Sequence, residues 1–231
     1  MIVNGKRIDG RKLKDMRPIE MKVGVINRAD GSAFVKIGGS HAIAAVHGPR
    51  NLFPKFMQKA DSGILRTKYS MAPFSVDDRK SPGHDRRSTE LSKVLRLALQ
   101  PAVFLEDFPK ATIDIFVDIL QADGSTRVTA LNAASLALAH AGIPMKDLVS
   151  ACSVGKIDGE LVVDLNGKED NNSEADLAFA MMPRNNKVTL LQMDGCVSEK
   201  ELESLIGMAE ESCKKISELQ KKALKEKFGV E

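Results

Sequence analysis

Apolar and polar residues trade places along the first third of the chain at the period of two that a strand with one buried face requires. Residues 18–26 (PIEMKVGVI), 32–38 (SAFVKIG) and 41–47 (HAIAAVH) follow this pattern, and Gly38-Gly39-Ser40 predicts a hairpin turn between the last two. Residues 65–74 predict a further strand, and 75–84 (SVDDRKSPGH), polar with a Pro-Gly pair, predict a loop. The period then lengthens. Leu91, Val94, Leu95, Ala98 and Leu99 fall at helical spacing within a helix predicted from near Asp85 to about Val103. Residues 111–120 (ATIDIFVDIL) return to strand character. A second helix opens at Asp123-Gly124-Ser125 and runs to about Ala141, with Ala and Leu on nearly every face, which predicts burial all round. Residues 148–156 and 160–165 predict a hairpin across Asp158-Gly159. A polar loop over 166–174, strands near 176–182 and 187–193, and a terminal helix from Ser198 to about Lys227 complete the chain. The helix carries the stripe Leu202, Ile206, Ala209, Cys213, Ile216, Leu219 and Ala223, one buried face at steps of three and four. The order of elements predicts a single α+β domain over 1–231, mixed sheets packed with helices, with a basic segment over 1–17 ahead of the first strand.

Composition refines this only slightly. Of 231 residues 43% are hydrophobic, enough for a sizeable core, and no run reaches the length that spans a bilayer. The polar start excludes a secretory signal, so a cytoplasmic location and no membrane partner are expected. Cys152, Cys196 and Cys213 are far apart and lack zinc-site spacing; Cys213, on the helical stripe, reads as core. The net charge of +3 permits a nucleic-acid partner without arguing for one. Its distribution says more. Lys6, Arg7, Arg11, Lys12, Lys14, Arg17 and Lys22 crowd one stretch, and Arg50, Lys55, Lys59, Arg66, Lys68, Arg79, Lys80, Arg86 and Arg87 another. Each is either a solvated basic face or a track for a phosphate backbone.

Three motifs carry chemistry. Arg86 and Arg87 open the first long helix, where the macrodipole disfavours cations, so they suit an external phosphate better than solvent. The alternative is a surface pair neutralised by Asp85 or Glu90. Gly124-Ser125-Thr126-Arg127 opens the second helix straight after a buried strand, a turn that could cradle one phosphate under Arg127 or serve as an ordinary N-cap. Glu169, Asp170, Glu174 and Asp176 form an acidic run whose Asp170 and Asp176 could share a cleft, as ligands for Mg²⁺ or Mn²⁺ or as a protonated acid, or else a solvated loop. Two anion sites beside one acidic loop are the components of phosphoryl transfer.

Four segments, GPRNLFPKF (48–56), MAPFSVDDRKSPGHDRRSTELSKVLRLAL (71–99), ILQADGSTRVTALNAASLAL (119–138) and DLNGKEDNNSEADLAFAM (164–181), resemble the RNase PH family, and in particular its branch of catalytic subunits of the archaeal exosome. The resemblance extends from Asp9-Gly10-Arg11 to the terminal helix. It implies the RNase PH fold, like ribosomal protein S5 domain 2, in a hexameric ring. There, three copies alternate with a related non-catalytic subunit under S1/KH or S1/zinc-ribbon RNA-binding caps. By position, Arg86 and Arg87 match the family's RNA-holding arginines, Gly124, Ser125 and Arg127 its phosphate-binding turn, and Asp170 and Asp176 its catalytic carboxylates. Bacterial relatives carry a lysine where this chain has Ala178, which removes that group from the site.

The resemblance thus implies a phosphate-dependent 3′→5′ exoribonuclease. Inorganic phosphate is its co-substrate and Mg²⁺ the expected ion on Asp170 and Asp176; the substrate is the 3′ end of single-stranded RNA. Asp170 is the first choice for general acid and Asp176 for metal ligand, with exchange of the two left open. Lys55, Arg66 and Phe53 are further candidate RNA contacts. A homohexameric tRNA-trimming RNase PH and a non-catalytic RNA-binding ring subunit stand as alternatives.

Overall fold

A computed structural model describes residues 1–2, 6–83 and 85–229 of the chain. The alternating segments pair as expected: β1 (Ile19–Val23), β2 (Gly31–Ile37) and β3 (Ser40–Asn51) form an antiparallel meander. β4 (Ile64–Met71) is shorter than its pattern predicts because Pro73, which has no N–H to give a ladder, follows directly. The chain then crosses over through α1 (Arg86–Leu99), so β5 (Ala111–Gln121) can lie parallel to β4 while pairing antiparallel with β3. The resulting five-stranded sheet has the order β1-β2-β3-β5-β4. α1 stops at Leu99, short of the predicted Val103, because Pro101 clashes with continued helix; residues Gln100–Ala102 tighten into a 3₁₀ turn.

α2 (Thr126–His140) lies between this sheet and a second one. The second sheet is antiparallel, with order β7-β6-β8-β9, built from β6 (Ser150–Ile157), β7 (Glu160–Val163), β8 (Ala175–Met182) and β9 (Lys187–Gly195). α2 touches β2, β3 and β5 on one side and β6 and β8 on the other, so nearly every position from Thr126 to Leu138 is buried. Its buried polar residues act as connectors. The Asn132 amide donates to the Ala151 carbonyl at 2.8 Å and accepts from the Ala151 N–H at 3.0 Å, as a sheet neighbour would. Gln220 of α4 (Glu199–Phe228) reaches Asn132 at 3.2 Å and the Val149 carbonyl at 3.1 Å. The apolar stripe of α4, including Leu205, Ala209, Cys213 and Ile216, packs on β6 and β8 beside Cys152 and Phe179.

Residues 166–174, expected as loop, contain a single helical turn, α3 (Gly167–Asp170). Asn166 caps it, accepting from the N–H groups of Lys168 and Glu169 at 3.0 Å, while the Glu169 carboxylate returns to the Asn166 N–H at 3.0 Å. This is the reciprocal capping box.

In the first basic stretch Arg7 and Arg17 turn inward, while Lys6, Lys12, Lys14 and Lys22 stay exposed. Arg7 is 3% exposed and Arg17 6%, and both guanidinium groups are used inside the protein. Arg7 grips the buried Glu169 through two nitrogens and donates to the Asp164 carbonyl at 2.7 Å. Arg17 forks onto Asp164 with bonds of 2.9 and 2.7 Å, reaches the Leu165 carbonyl at 3.1 Å, and holds the Asp123 carbonyl as well. Removing Arg17 would leave the buried Asp164 carboxylate with only the longer Arg11 contact at 3.3 Å. Arg17→Ala is therefore expected to lower the unfolding free energy by about 3–5 kcal/mol, read from urea denaturation; a loss under 1 kcal/mol would show the pair to be dispensable.

Candidate active site

Two helix starts and the α3 turn meet at one cleft of about 920 Å³, the size of a nucleotide-class pocket. Lining it are Arg87 of α1, Gly124, Ser125 and Arg127 at the start of α2, Asp170 of α3 and Asp176 of β8. Six of the residues singled out in the sequence thus converge, although 89 positions separate the first from the last.

The glycine turn is built differently from an ordinary cap. Gly124 (φ 70°) and Ser125 (φ 55°) are both left-handed, and Ser125 makes no side-chain cap to α2. Its hydroxyl instead lies 2.6 Å from that of Ser153 and donates to the Leu165 carbonyl at 2.8 Å. A Cβ at residue 124 would stand 2.6 Å from the Asn166 carbonyl carbon and 2.8 Å from the Gly167 nitrogen. Only glycine lets the two backbones touch here. Ser40 braces the turn, donating to the Gly124 carbonyl at 2.6 Å and accepting from the Asp123 N–H at 2.9 Å. Asp123 in turn accepts from the Gly167 N–H at 3.0 Å, which ties α3 to the start of α2. The N-terminus of α2, free of a side-chain cap, offers its N–H groups to an anion.

At α1, Asp85 caps the helix. It accepts from the Ser88 N–H at 2.6 Å and pairs with Lys80 at 2.7 Å, which holds its carboxyl below the usual range. Glu90 accepts from the Gln192 amide at 3.3 Å. Neither carboxylate neutralises the arginines: among the described residues Arg86, Arg87 and Arg127 form no ion pair. Unpaired cations at two helix starts favour an external anion.

The acidic run divides. Glu169 is drawn into the interior by Arg7, and Glu174, on the rim, bonds Lys156 at 3.3 Å and the Gly159 N–H at 2.8 Å. Asp170 and Asp176 remain for the cleft. Burial raises the Asp170 carboxyl, opposed by Arg87, Arg127 and Arg17. Asp176 is pushed up further, from the ordinary 3.8 to about 6, by burial first and then by the charge of Asp170, with Arg127 opposing and Asp194 adding to the rise. Of the two, Asp176 has its carboxyl held closer to neutral pH.

Arg86, Lys55 and Arg66 do not line this cleft. Arg66 lies about 16 Å back along β4 from the cleft residue Met71, at roughly 3.3 Å per residue, and its guanidinium is forked on Asp114 at 2.6 and 2.9 Å. Lys55 sits in an exposed 3₁₀ turn (Lys55–Met57) beside exposed Phe53 and Phe56. Conversely, Ser153, Gln192 and Asp194 line the cleft without having been singled out, and Lys80 of the second basic stretch joins them. Gln192 and Asp194 alternate on β9 opposite Ala178 and Asp176, a relation that exists only once the strands have paired.

The model of the 3′ exoribonuclease family, domain 1 (RNase PH), matches residues 15–144, and that of domain 2 matches 147–212. The chain belongs to the RNase PH family of 3′→5′ exoribonucleases. It is 57% identical over 225 residues to the exosome complex component Rrp41 of Thermococcus kodakarensis, covering 97% of this chain and 90% of that one. The Rrp41 of Methanopyrus kandleri is 51% identical, covering 98% and 95%. Among solved structures, rice Rrp46 superposes with a TM-score of 0.83 at 25% identity, covering 93% of this chain and 98% of that one. An Archaeoglobus fulgidus exosome chain, solved with RNA bound to the active site, gives 0.82 at 23%, covering 93% and 92%, and shows the shared fold.

The raised Asp176 carboxyl has a consequence for stability. Below the unfolded value near 3.8 the group is neutral in both states; above about 6 it is charged in both, and the folded state bears the burial cost. Stability owed to this group is therefore lost as pH rises from about 4 to about 6. Asp176→Asn, neutral throughout, is expected to be more stable than wild type at pH 7, with the gap closing as pH falls to 4. Denaturation midpoints across that range measure it, and a constant gap would place the titration elsewhere.

Proposed function

We propose that this chain is the catalytic subunit of an exosome-type ring that shortens RNA from its 3′ end by phosphorolysis. The observation that carries the reading is the meeting of Arg87, the Gly124–Arg127 turn, Asp170 and Asp176 in one cleft. Inorganic phosphate rests on the N–H groups at the start of α2, with Ser125 and Arg127 beside it. Arg87, aided by the exposed Arg86 next to it, holds the terminal RNA phosphate and neutralises charge that builds on its oxygens. A phosphate oxygen attacks the last phosphodiester phosphorus in line, the bond to the 3′ oxygen breaks, and Asp176 supplies the proton that oxygen takes up. The products are a nucleoside diphosphate and RNA one nucleotide shorter. The step is reversible because phosphate esters are exchanged for a phosphoanhydride.

Among the described residues no three His, Cys, Asp or Glu side chains converge on a metal site. Two half-buried carboxylates at a phosphate-binding cleft nonetheless fit Mg²⁺, which takes one or two protein carboxylates and fills its shell with water and substrate oxygens. Asp170 would hold it, leaving the Asp176 proton for the departing oxygen, and it would supply further charge neutralisation at the phosphoryl oxygens. Lys55 and Phe53, on their exposed turn, would hold RNA further from the scissile bond, and Arg66 would add backbone charge.

The Rrp41 relatives are named as exosome components, which supports assembly with a related non-catalytic subunit in a hexameric ring under S1/KH or S1/zinc-ribbon caps. The unpaired edge of β9, with Val188, Leu191 and Met193 exposed, is consistent with such packing. One core cluster spans both sheets through α2, so the chain acts as a single unit. No helix among the described residues is long and apolar enough to cross a membrane, in keeping with work in the cytoplasm.

The assembled ring given poly(A) is expected to release nucleoside diphosphates only when phosphate is supplied; monophosphates in phosphate-free buffer would identify a hydrolase instead. Asp176→Asn should lower kcat by roughly 10²- to 10⁴-fold while leaving RNA affinity near wild type in filter binding. A mutant with full turnover would remove Asp176 as the acid.

A further inference from the structure

The single tyrosine of the chain stands behind the cleft. Tyr69 lies on β4, paired with Val117 of the neighbouring β5, and is 1% exposed. Its ring fills space in the main core beside Leu91 and Leu95 of α1. Beside it, Ser92 of α1 accepts through its carbonyl from Thr67 and through its hydroxyl from the Tyr69 N–H at 2.9 Å, so helix and strand are locked together at this point. The strand that carries the phenol is thus tied to the helix that carries Arg87.

Its hydroxyl, however, has no well-formed hydrogen bond. It sits among the Thr126 hydroxyl and the Arg87 and Arg127 guanidinium groups, whose nearness works against the rise that burial gives its titration. The Nε–H of Arg127 is likewise buried without a partner. Buried polar groups are rarely left unpaired, and one beside a binding cleft calls for a role there. Here the unpaired groups lie where the starts of α1 and α2 come together, each start contributing one cation to the cleft. Arg87 and Arg127 bring two like charges to one cleft, and a neutral acceptor between them would set their separation before an anion arrives. A phenolic oxygen can accept from either arginine while its own O–H donates to Thr126.

We propose that Tyr69 is a positioning residue for phosphorolysis, its hydroxyl setting Arg87 and Arg127 at a fixed separation so that the RNA-holding and phosphate-holding cations address the same phosphorus. The proposal rests on the phosphorolytic reading of the cleft. It assigns Tyr69 no contact with the reacting atoms.

Tyr69→Phe removes the hydroxyl and keeps the ring. In the assembled ring its kcat/KM for inorganic phosphate is expected to fall roughly 10- to 100-fold, the worth of a hydrogen bond to a charged group. The KM for long RNA and the denaturation midpoint without ligand should stay at wild-type values. A second reading is independent of turnover: phosphate should raise the melting temperature of wild-type protein more than that of the mutant. Wild-type kinetics in Tyr69→Phe, an equal phosphate stabilisation of both proteins, or a drop in phosphate-free stability matching the lost activity would each overturn the proposal. A wild-type ring that releases no diphosphate with phosphate present would overturn the functional reading and this proposal with it.

Discussion

Everything at the cleft depends on the buried fork between Arg17 and Asp164. Arg17 enters from just ahead of the first strand and Asp164 from just after β7, and Arg17 also holds the Asp123 and Leu165 carbonyls. One side chain therefore spans the segment that leads into α2 and the segment that leads into α3. A buried ion pair contributes little to net stability when compared with an apolar pair of the same volume, but it is directional. Its value here is registration. Arg7 and Glu169 repeat the device at an equally buried pair, which keeps α3 turned so that Asp170 faces the cleft.

A second level of registration comes from α2. A helix buried on all sides has no amphipathic stripe to tell it which way to face, and the Ala-rich surface between the sheets would tolerate rotation. Asn132 removes that freedom by bonding both backbone groups of Ala151, and Gln220 extends the bond to the terminal helix. The direction in which Arg127 leaves the first turn of α2 is thereby fixed from deep in the core.

The elements were legible in the sequence because period-two and helical spacing report burial, and both sheets and all the long helices stand where that spacing puts them. Departures occur where a local rule wins. Pro73 shortens β4, Pro101 ends α1, and Asn166 with Glu169 nucleates a helical turn inside a polar segment. At the site, the glycine turn, Arg87 and the two aspartates could be named because helix starts and carboxylate clusters have a chemistry of their own. The inward course of Arg7 and Arg17 could not, since a basic run looks the same whether its partners are water or Asp164 and Glu169, more than 140 positions away. Nor could Gln192 and Asp194, whose place in the cleft is decided by strand register, or the rise of the Asp176 carboxyl, which depends on burial and on the charge of Asp170.

The close approach at Gly124 sets a limit on how this cleft can change. The phosphate-side turn and the Asn166–Gly167 segment meet backbone to backbone, with no side chain between them to lengthen or trim. The gap between the anion seat and the carboxylates is thus a property of the main chain, as rigid as van der Waals contact allows. Surface drift, repacking of either sheet or a change of temperature can alter the rim where Lys80, Gln192 and Asp194 stand, but leaves that gap alone. Diversification of substrate preference in such a protein has to proceed from the rim inward, while the spacing that serves the chemistry is inherited unchanged.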